Sequence, residues 1–244
     1  MRVWPGGRLM GDRETLAAYD SAAGSYAAEW EDDQDVPTDL YDLLQRFFTP
    51  GSVIEIGCGS GRDAAWLAAQ GYAVTAFDAS GPLLEEARRR HPGIEFAVAT
   101  LPGLSEIGVR QAASVLCETV LMHLPADEIA PAAARLSELV EPGGTLHVSW
   151  RVTAGADLRD PAGRLYSAFE PALVLGALGG AAVLYDEEQR SASSGKTVHR
   201  VIARRPADRA GPARAGPQSV AYCRPARTDV MRWVLKPSQC IRPT

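Results

Sequence analysis

Apolar residues recur at helical intervals through the first 50 positions. Leu16, Tyr19, Tyr26 and Trp30 share one helical face. Leu40, Leu43, Leu44 and Phe47 share another, and a polar stretch near residues 32–37, ending in Pro37, separates the two. From residue 52 the pattern becomes one of short apolar runs. Ser52–Ile56 reads as a buried strand that ends in a glycine turn. Residues 62–70 read as a helix stopped by Gly71, and 72–77 as a strand closed by Asp78. A helix over 82–90 and a strand over 94–99 follow.

The alternation continues with a strand over 113–117 and a helix over 127–140. The turn Glu141-Pro142-Gly143-Gly144 then leads into a strand over 145–150. After a helix over 171–178, strands over 181–186 and 197–203 flank a turn containing Ser193-Ser194-Gly195, a hairpin signal. Strands alternating with helices predict an α/β fold: a mostly parallel sheet covered on both faces, with the hairpin adding an antiparallel strand at one end. Residues 206–244 are rich in Pro, Gly, Ala and Arg without sustained period, and read as a weakly structured tail with a short element near 230–235. The expected organisation is a helical segment over 1–50, a main domain over 51–205 and that tail.

Composition narrows the function. The chain has 244 residues and 46% hydrophobic content, enough for one α/β domain with additions. Its apolar runs are far shorter than the roughly 20 residues of a membrane span. The opening MRVWPGGRLMGDRE lacks the apolar stretch of a signal peptide, so a cytoplasmic location is expected and no membrane partner. The four cysteines, Cys58, Cys117, Cys223 and Cys240, form no close pair, which argues against a zinc site or a disulfide framework. From Pro206 onward seven basic residues accompany two acids, so the formal charge of −5 leaves −10 on residues 1–205. An acidic body repels phosphate backbones and disfavours nucleic acid as the main partner.

The chemistry concentrates in VIEIGCGSG, residues 53–61. A Walker loop needs Gly-Lys followed by Ser or Thr, whereas Gly61-Arg62-Asp63 stands here. A dinucleotide fingerprint needs a glycine where Arg62 stands. What remains is Glu55, Gly57, Gly59 and Gly61 at alternate positions. Glycines let backbone approach a ligand, and N–H groups near the next helix can meet a carboxylate. Glu55 can accept from an ammonium, and Asp78, about 20 residues beyond the turn, stands where an acid takes a ribose diol. An amino acid joined to a nucleoside is S-adenosylmethionine.

The stretch VIEIGCGSGRDAAWLAAQGYAVTAFDAS resembles the first motif and acidic second-strand end of class I S-adenosylmethionine-dependent methyltransferases. ASVLCETVLMHLP and LVEPGGTLHVSW resemble the fourth- and fifth-strand segments. YDSAAGSYAAEW resembles the amino-terminal helix that lids the cofactor in small-molecule members, closest to the UbiE/TehB-like group. The resemblance spans roughly residues 15–205. It implies a Rossmann-like seven-stranded fold and S-adenosylmethionine as methyl donor, with S-adenosylhomocysteine as product and no metal. It also implies roles. Glu55 and Gly57, with Cys58 in the turn, hold the methionine amino end, and Gly59 and Gly61 let the backbone close on it. Asp78 holds the ribose hydroxyls and Ala79 flanks adenine. Thr100 and Leu101 stand where many relatives carry an acid that meets the adenine amine. Cys117 and Glu118 lie beside the methionine part, and Tyr19 and Tyr26 face the cofactor from the lid.

His123, just past the fourth strand, is the candidate base, since ligands of open sheets bind at the carboxyl edge. Met122, Trp150, Arg151, Arg159, Arg164, Tyr166 and Phe169 are candidates for the substrate wall. The arginines of RVTAGADLRDPAGRLY suggest a pocket for an anionic group. CETVLMHLP lacks the Asp/Asn-Pro-Pro-aromatic signature of amino-directed base methylation, and no Pro-Cys nucleophile follows it. No acid and histidine cluster argues for a catalytic metal. The expected function is methyl transfer to an oxygen, nitrogen or carbon of a small molecule. The alternatives are a protein or peptide methyltransferase, another reaction that uses the sulfonium ligand, and a non-catalytic cofactor-binding domain. No feature of the sequence bears on oligomeric state.

Overall fold

The opening amphipathic segment forms two helices, α1 (Arg13–Ala28) and α2 (Thr38–Phe47), joined through a π-helical turn at Glu29–Asp33. The computed structural model describes residues 11–108 and 110–207. Asp12 starts α1 by accepting the Thr15 N–H at 2.8 Å, which satisfies a donor that the first helical turn leaves free. Expectations for residues 1–10 and 208–244, including Cys223, Cys240 and the element near 230–235, fall outside the described residues.

The βα alternation then runs β1 (Ser52–Ile56), α3 (Arg62–Ala69), β2 (Ala73–Asp78), α4 (Gly81–Arg90), β3 (Glu95–Val98) and β4 (Ala112–Cys117). It continues with α5 (Ala126–Glu138), β5 (Val140–Arg151), a two-stranded ribbon of β6 (Leu158–Arg159) and β7 (Leu165–Tyr166), α6 (Pro171–Leu175), and the hairpin β8 (Ala182–Arg190) and β9 (Thr197–Arg204). One seven-stranded sheet has the order β3-β2-β1-β4-β5-β9-β8. Its first five strands are parallel, while β9 is antiparallel to β5 and β8 antiparallel to β9. Strand order reverses between β1 and β4, so their carboxyl ends open a crevice there.

The period of two along each strand divides the core. Ile54, Ile56, Val115 and Cys117 face α5 with Ile129, Ala132, Ala133 and Leu136. Val53 and Leu116 face the other side, against Leu40, Tyr41 and Leu44 of α2 and Leu67 of α3. A fully buried Leu or Ile contributes roughly 1.5–3 kcal/mol, so these layers hold the sheet rigid beneath its carboxyl edge.

Two local readings change. Val140, expected as the end of the preceding helix, begins β5 and pairs with Ala112; the register then jumps to Ser114 opposite Thr145. The Pro-Gly-Gly turn is therefore an irregularity within one strand, with Gly143 at φ 81°. The β6–β7 ribbon was not expected, because two-residue strands carry no periodic signal. Among the described residues no helix is long and apolar enough to cross a membrane.

Candidate functional site

Alternation along β1 puts Glu55 on the Val53 side, where its carboxylate is 3% exposed under the glycine turn. Its Oε2 has no hydrogen-bond partner. Burial, and then the neighbouring Asp63 carboxylate, push its pKa well above the usual carboxylate range. A buried carboxyl left this way is costly unless a donor meets it. The turn itself needs glycine. A Cβ on Gly57, at φ 76°, would stand 2.3 Å from Val120 Cγ2.

Asp78 closes the opposite wall. One carboxylate oxygen accepts the Gly59 N–H at 2.8 Å, and the other accepts the Ser80 N–H at 2.8 Å. Burial raises its pKa, against those backbone donors. Asp78 thus clamps the turn after β1 to the end of β2. Gly57, Cys58, Gly59, Ala79, Thr100, Leu101 and Glu118 line the same cavity.

α1 roofs this cavity with aromatics. Tyr19 meets Tyr26 edge-on at 5.1 Å, and Tyr26 stacks on Trp30 at 5.5 Å. All three line the cavity. Polar contacts fasten the roof to the Rossmann-like core. Ser80 Oγ donates to Asp20 at 2.6 Å, and Arg62 donates to the Trp30 carbonyl at 3.2 Å while covering its ring at 4.6 Å. Arg90 forks onto Asp32 at 3.2 Å, and His91 pairs with Glu31 at 2.9 Å.

At the other end of the roof, His123 Nδ1 lies 2.6 Å from the Leu165 carbonyl and Nε2 lies 2.9 Å from the Tyr19 hydroxyl. Burial lowers the His123 pKa to about 4 and raises that of Tyr19, so both are neutral near pH 7.

Residues 53–144 match the family model described as a methyltransferase domain. They run from β1 into β5 of the seven-stranded sheet, which has the class I, Rossmann-like methyltransferase fold. The trans-aconitate 2-methyltransferase of Methylobacterium nodulans is 34% identical over 111 residues, 44% of this chain and 42% of that protein. The chain thus spans less than half the length of that relative. The 1,6-didemethyltoxoflavin-N1-methyltransferase of Burkholderia thailandensis, solved with S-adenosylhomocysteine, superposes with TM-score 0.56 at 23% identity, covering 84% of this chain and 93% of that one. The [4+2]-cyclase SpnF superposes with TM-score 0.61 at 17% identity, covering 82% and 98%. The glycopeptide N-methyltransferase MtfA, solved with S-adenosylmethionine, does so with TM-score 0.57 at 18% identity, covering 72% and 96%.

The cavity gathers Tyr19, Tyr26, Glu55, Asp78, Glu118 and His123, but not every residue the sequence pointed to. Cys117 is fully buried on the α5 side, because the strand's alternation turns it away from Glu118. Gly61 begins α3 at φ 92°, where a Cβ would meet Phe96 at 2.8 Å, so its need for glycine comes from packing. Met122 and Trp150 lie in the main core, and Trp150 stacks on His199 at 4.6 Å. Tyr166 is buried against His123 at 5.1 Å, with Arg151 over its other neighbourhood at 5.0 Å; neither lines the cavity. Phe169 packs on Trp150.

Of the arginines expected to form an anionic pocket none lines the cavity, and Arg164 lies 5.4 Å from the Tyr19 ring. Arg159 pairs with Asp12 at 2.5 Å, and Arg164 pairs with Asp160 at 2.7 Å. Sequence reading also missed members of the wall. Trp30 continues the Tyr19 and Tyr26 face and carried that signal; Thr119, at φ 54° just past β4, carried none.

Beneath Glu118 the domain holds a buried ion network. Arg200 of β9 is fully buried and donates to Asp39 at 2.6 Å and to Glu118 at 3.0 Å. Ser149 Oγ donates to the other Glu118 oxygen at 2.6 Å and accepts the Thr119 N–H at 2.8 Å. Among the described residues no three histidines, cysteines or acids are grouped to hold a metal ion.

Proposed function

We propose that this chain is a methyltransferase that uses S-adenosylmethionine to methylate a small molecule. The observation that carries the reading is the buried Glu55 carboxylate beside the glycine turn, whose Oε2 has no partner. It fits an ammonium, which would supply the missing donor and restore the carboxylate's charge. Gly57, Cys58 and Gly59 would give the methionine part close backbone approach. Asp78 has both oxygens engaged by N–H groups yet keeps lone pairs for a ribose diol. Ala79, Thr100 and Leu101 would bound adenine, and the α1 segment would be the lid over both ligands. When bound, the donor supplies an activated methyl group. The domain contributes alignment, water exclusion beneath the aromatic roof and a proton acceptor near Tyr19 and His123.

The UbiE/TehB-like assignment rests on the motifs of residues 19–30 and 53–150. Trans-aconitate does not carry over from the relative, because Arg159 and Arg164 are paired with acids of this chain and Arg151 lies over Tyr166, outside the cavity lining. The partly aromatic cavity beneath α1 favours a small molecule over a peptide.

Calorimetric titration with S-adenosylhomocysteine and S-adenosylmethionine tests this, with NAD and ATP as controls. Saturable binding is expected, weakened about 10- to 100-fold by Glu55→Gln, since a hydrogen bond to a charged group contributes roughly 1.5–3 kcal/mol. Folded protein that binds neither sulfur ligand overturns the proposal.

A further inference from the structure

His123, Tyr19, Thr15 and Leu165 form a closed hydrogen-bonded loop. Thr15 Oγ1 accepts the Leu165 N–H at 2.8 Å, which fixes β7 against α1. The Leu165 carbonyl faces His123 Nδ1 at 2.6 Å, and His123 Nε2 faces Tyr19 one helical turn beyond Thr15. The polarity of this loop follows without choice. A carbonyl can only accept, so Nδ1 carries the hydrogen. A neutral imidazole then has a bare Nε2, which must accept, and the Tyr19 hydroxyl must donate to it. Tyr19 has one hydrogen, so only lone pairs remain for the cavity it lines.

We infer that Tyr19 is a catalytic residue that presents lone pairs to the methyl acceptor, so the site takes an acceptor bearing an N–H or O–H rather than a carboxylate. This rests on the methyltransferase reading above and deepens it. The acceptor's N–H or O–H would donate to Tyr19, so its own lone pair stays available for the methyl. As the acceptor's lone pair forms its bond to the methyl, the methyl's bond to the donor sulfur would break with the electron pair staying on sulfur. The acceptor's N–H or O–H proton joins the Tyr19 oxygen, and the original Tyr19 proton leaves for His123 Nε2. Net, one proton moves from acceptor to imidazole. The wall supports the same class. Glu55, Asp63, Asp78 and Glu118 all line the cavity; Asp63 is paired with Arg62 and Glu118 with Arg200, which leaves Glu55 and Asp78 as the acids without an arginine partner. Among the described lining residues Arg13 is the one lysine or arginine, and it is exposed; Arg164, 5.4 Å from the Tyr19 ring, is paired with Asp160. The low His123 pKa keeps the imidazole neutral near pH 7, and the Leu165 carbonyl sets which nitrogen is bare.

Two measurements test this. Nitrogen-15 NMR of histidine-labelled protein without added ligand reads the tautomer, with His123→Asn assigning the signal among the four histidines. The Nδ1–H form is expected throughout pH 6–8. Binding of benzyl alcohol, benzylammonium and benzoate is then compared in the presence of S-adenosylhomocysteine. Benzoate should bind at least tenfold more weakly than the other two, and Tyr19→Phe should narrow the gap. An Nε2–H tautomer, or no preference for the donor-bearing probes, overturns the inference. The tautomer is read without the sulfur ligand, so its outcome is separate from failure of the cofactor reading.

Discussion

Arg200→Met removes the centre of the ion network while keeping an unbranched side chain of similar length. Arg200 is fully buried and bridges Asp39 and Glu118, whose side chains are themselves mostly covered. Without the guanidinium two acids remain in a poorly solvated site with no cation between them. Breaking such a pair from one side costs roughly 3–5 kcal/mol, because the charge left behind has lost its compensation. With a urea m-value of about 2–3 kcal/mol/M, the unfolding midpoint should fall by about 1–2 M. Urea unfolding followed by tryptophan fluorescence and circular dichroism measures it. The neutral triple variant Arg200→Met/Asp39→Leu/Glu118→Met should recover much of the loss, since a buried ion pair can exchange for apolar packing at little net cost. A single variant within about 1 kcal/mol of the parent, or a triple variant no more stable than the single one, would refute the reasoning.

Two further outcomes follow from the packing and the titration behaviour. Gly57→Ala should destabilise by about 2–4 kcal/mol in the same assay, through a left-handed backbone and a Cβ 2.3 Å from Val120 Cγ2, and Val120→Ala should relieve part of it. Burial holds His123 near 4 and His147 near 3, each down from an ordinary value near 6.5. The unfolded chain therefore binds protons first, so stability should fall as pH drops from about 6.5 toward 4, by up to about 1.4 kcal/mol per pH unit for each histidine. Glu55 and Asp78, with raised values, act in the opposite direction. The histidine contribution is thus read as the difference between parent and His123→Asn or His147→Asn, and an unchanged slope in both would contradict the assignment.

The sheet and its crevice were legible in the sequence because period and glycine spacing are local signals. The run before Gly57, the acid closing the next strand and the aromatic face at Tyr19, Tyr26 and Trp30 each follow from intervals of a few residues. Those same intervals, read one step further, separate Cys117 from Glu118, since neighbours on a strand face opposite layers. What no local interval carries is which distant groups neutralise one another. Arg159 and Asp12 are 147 positions apart, and Arg200 and Asp39 are 161. Only the folded chain turns Arg159 and Arg164 into partners of Asp12 and Asp160 and gives Asp63 and Glu118 of the cavity wall their arginine partners. The same holds for His123. Its place after β4 is written in the sequence, but its neutral state and the direction of its bond to Tyr19 come from burial and from the Leu165 carbonyl, 42 residues away.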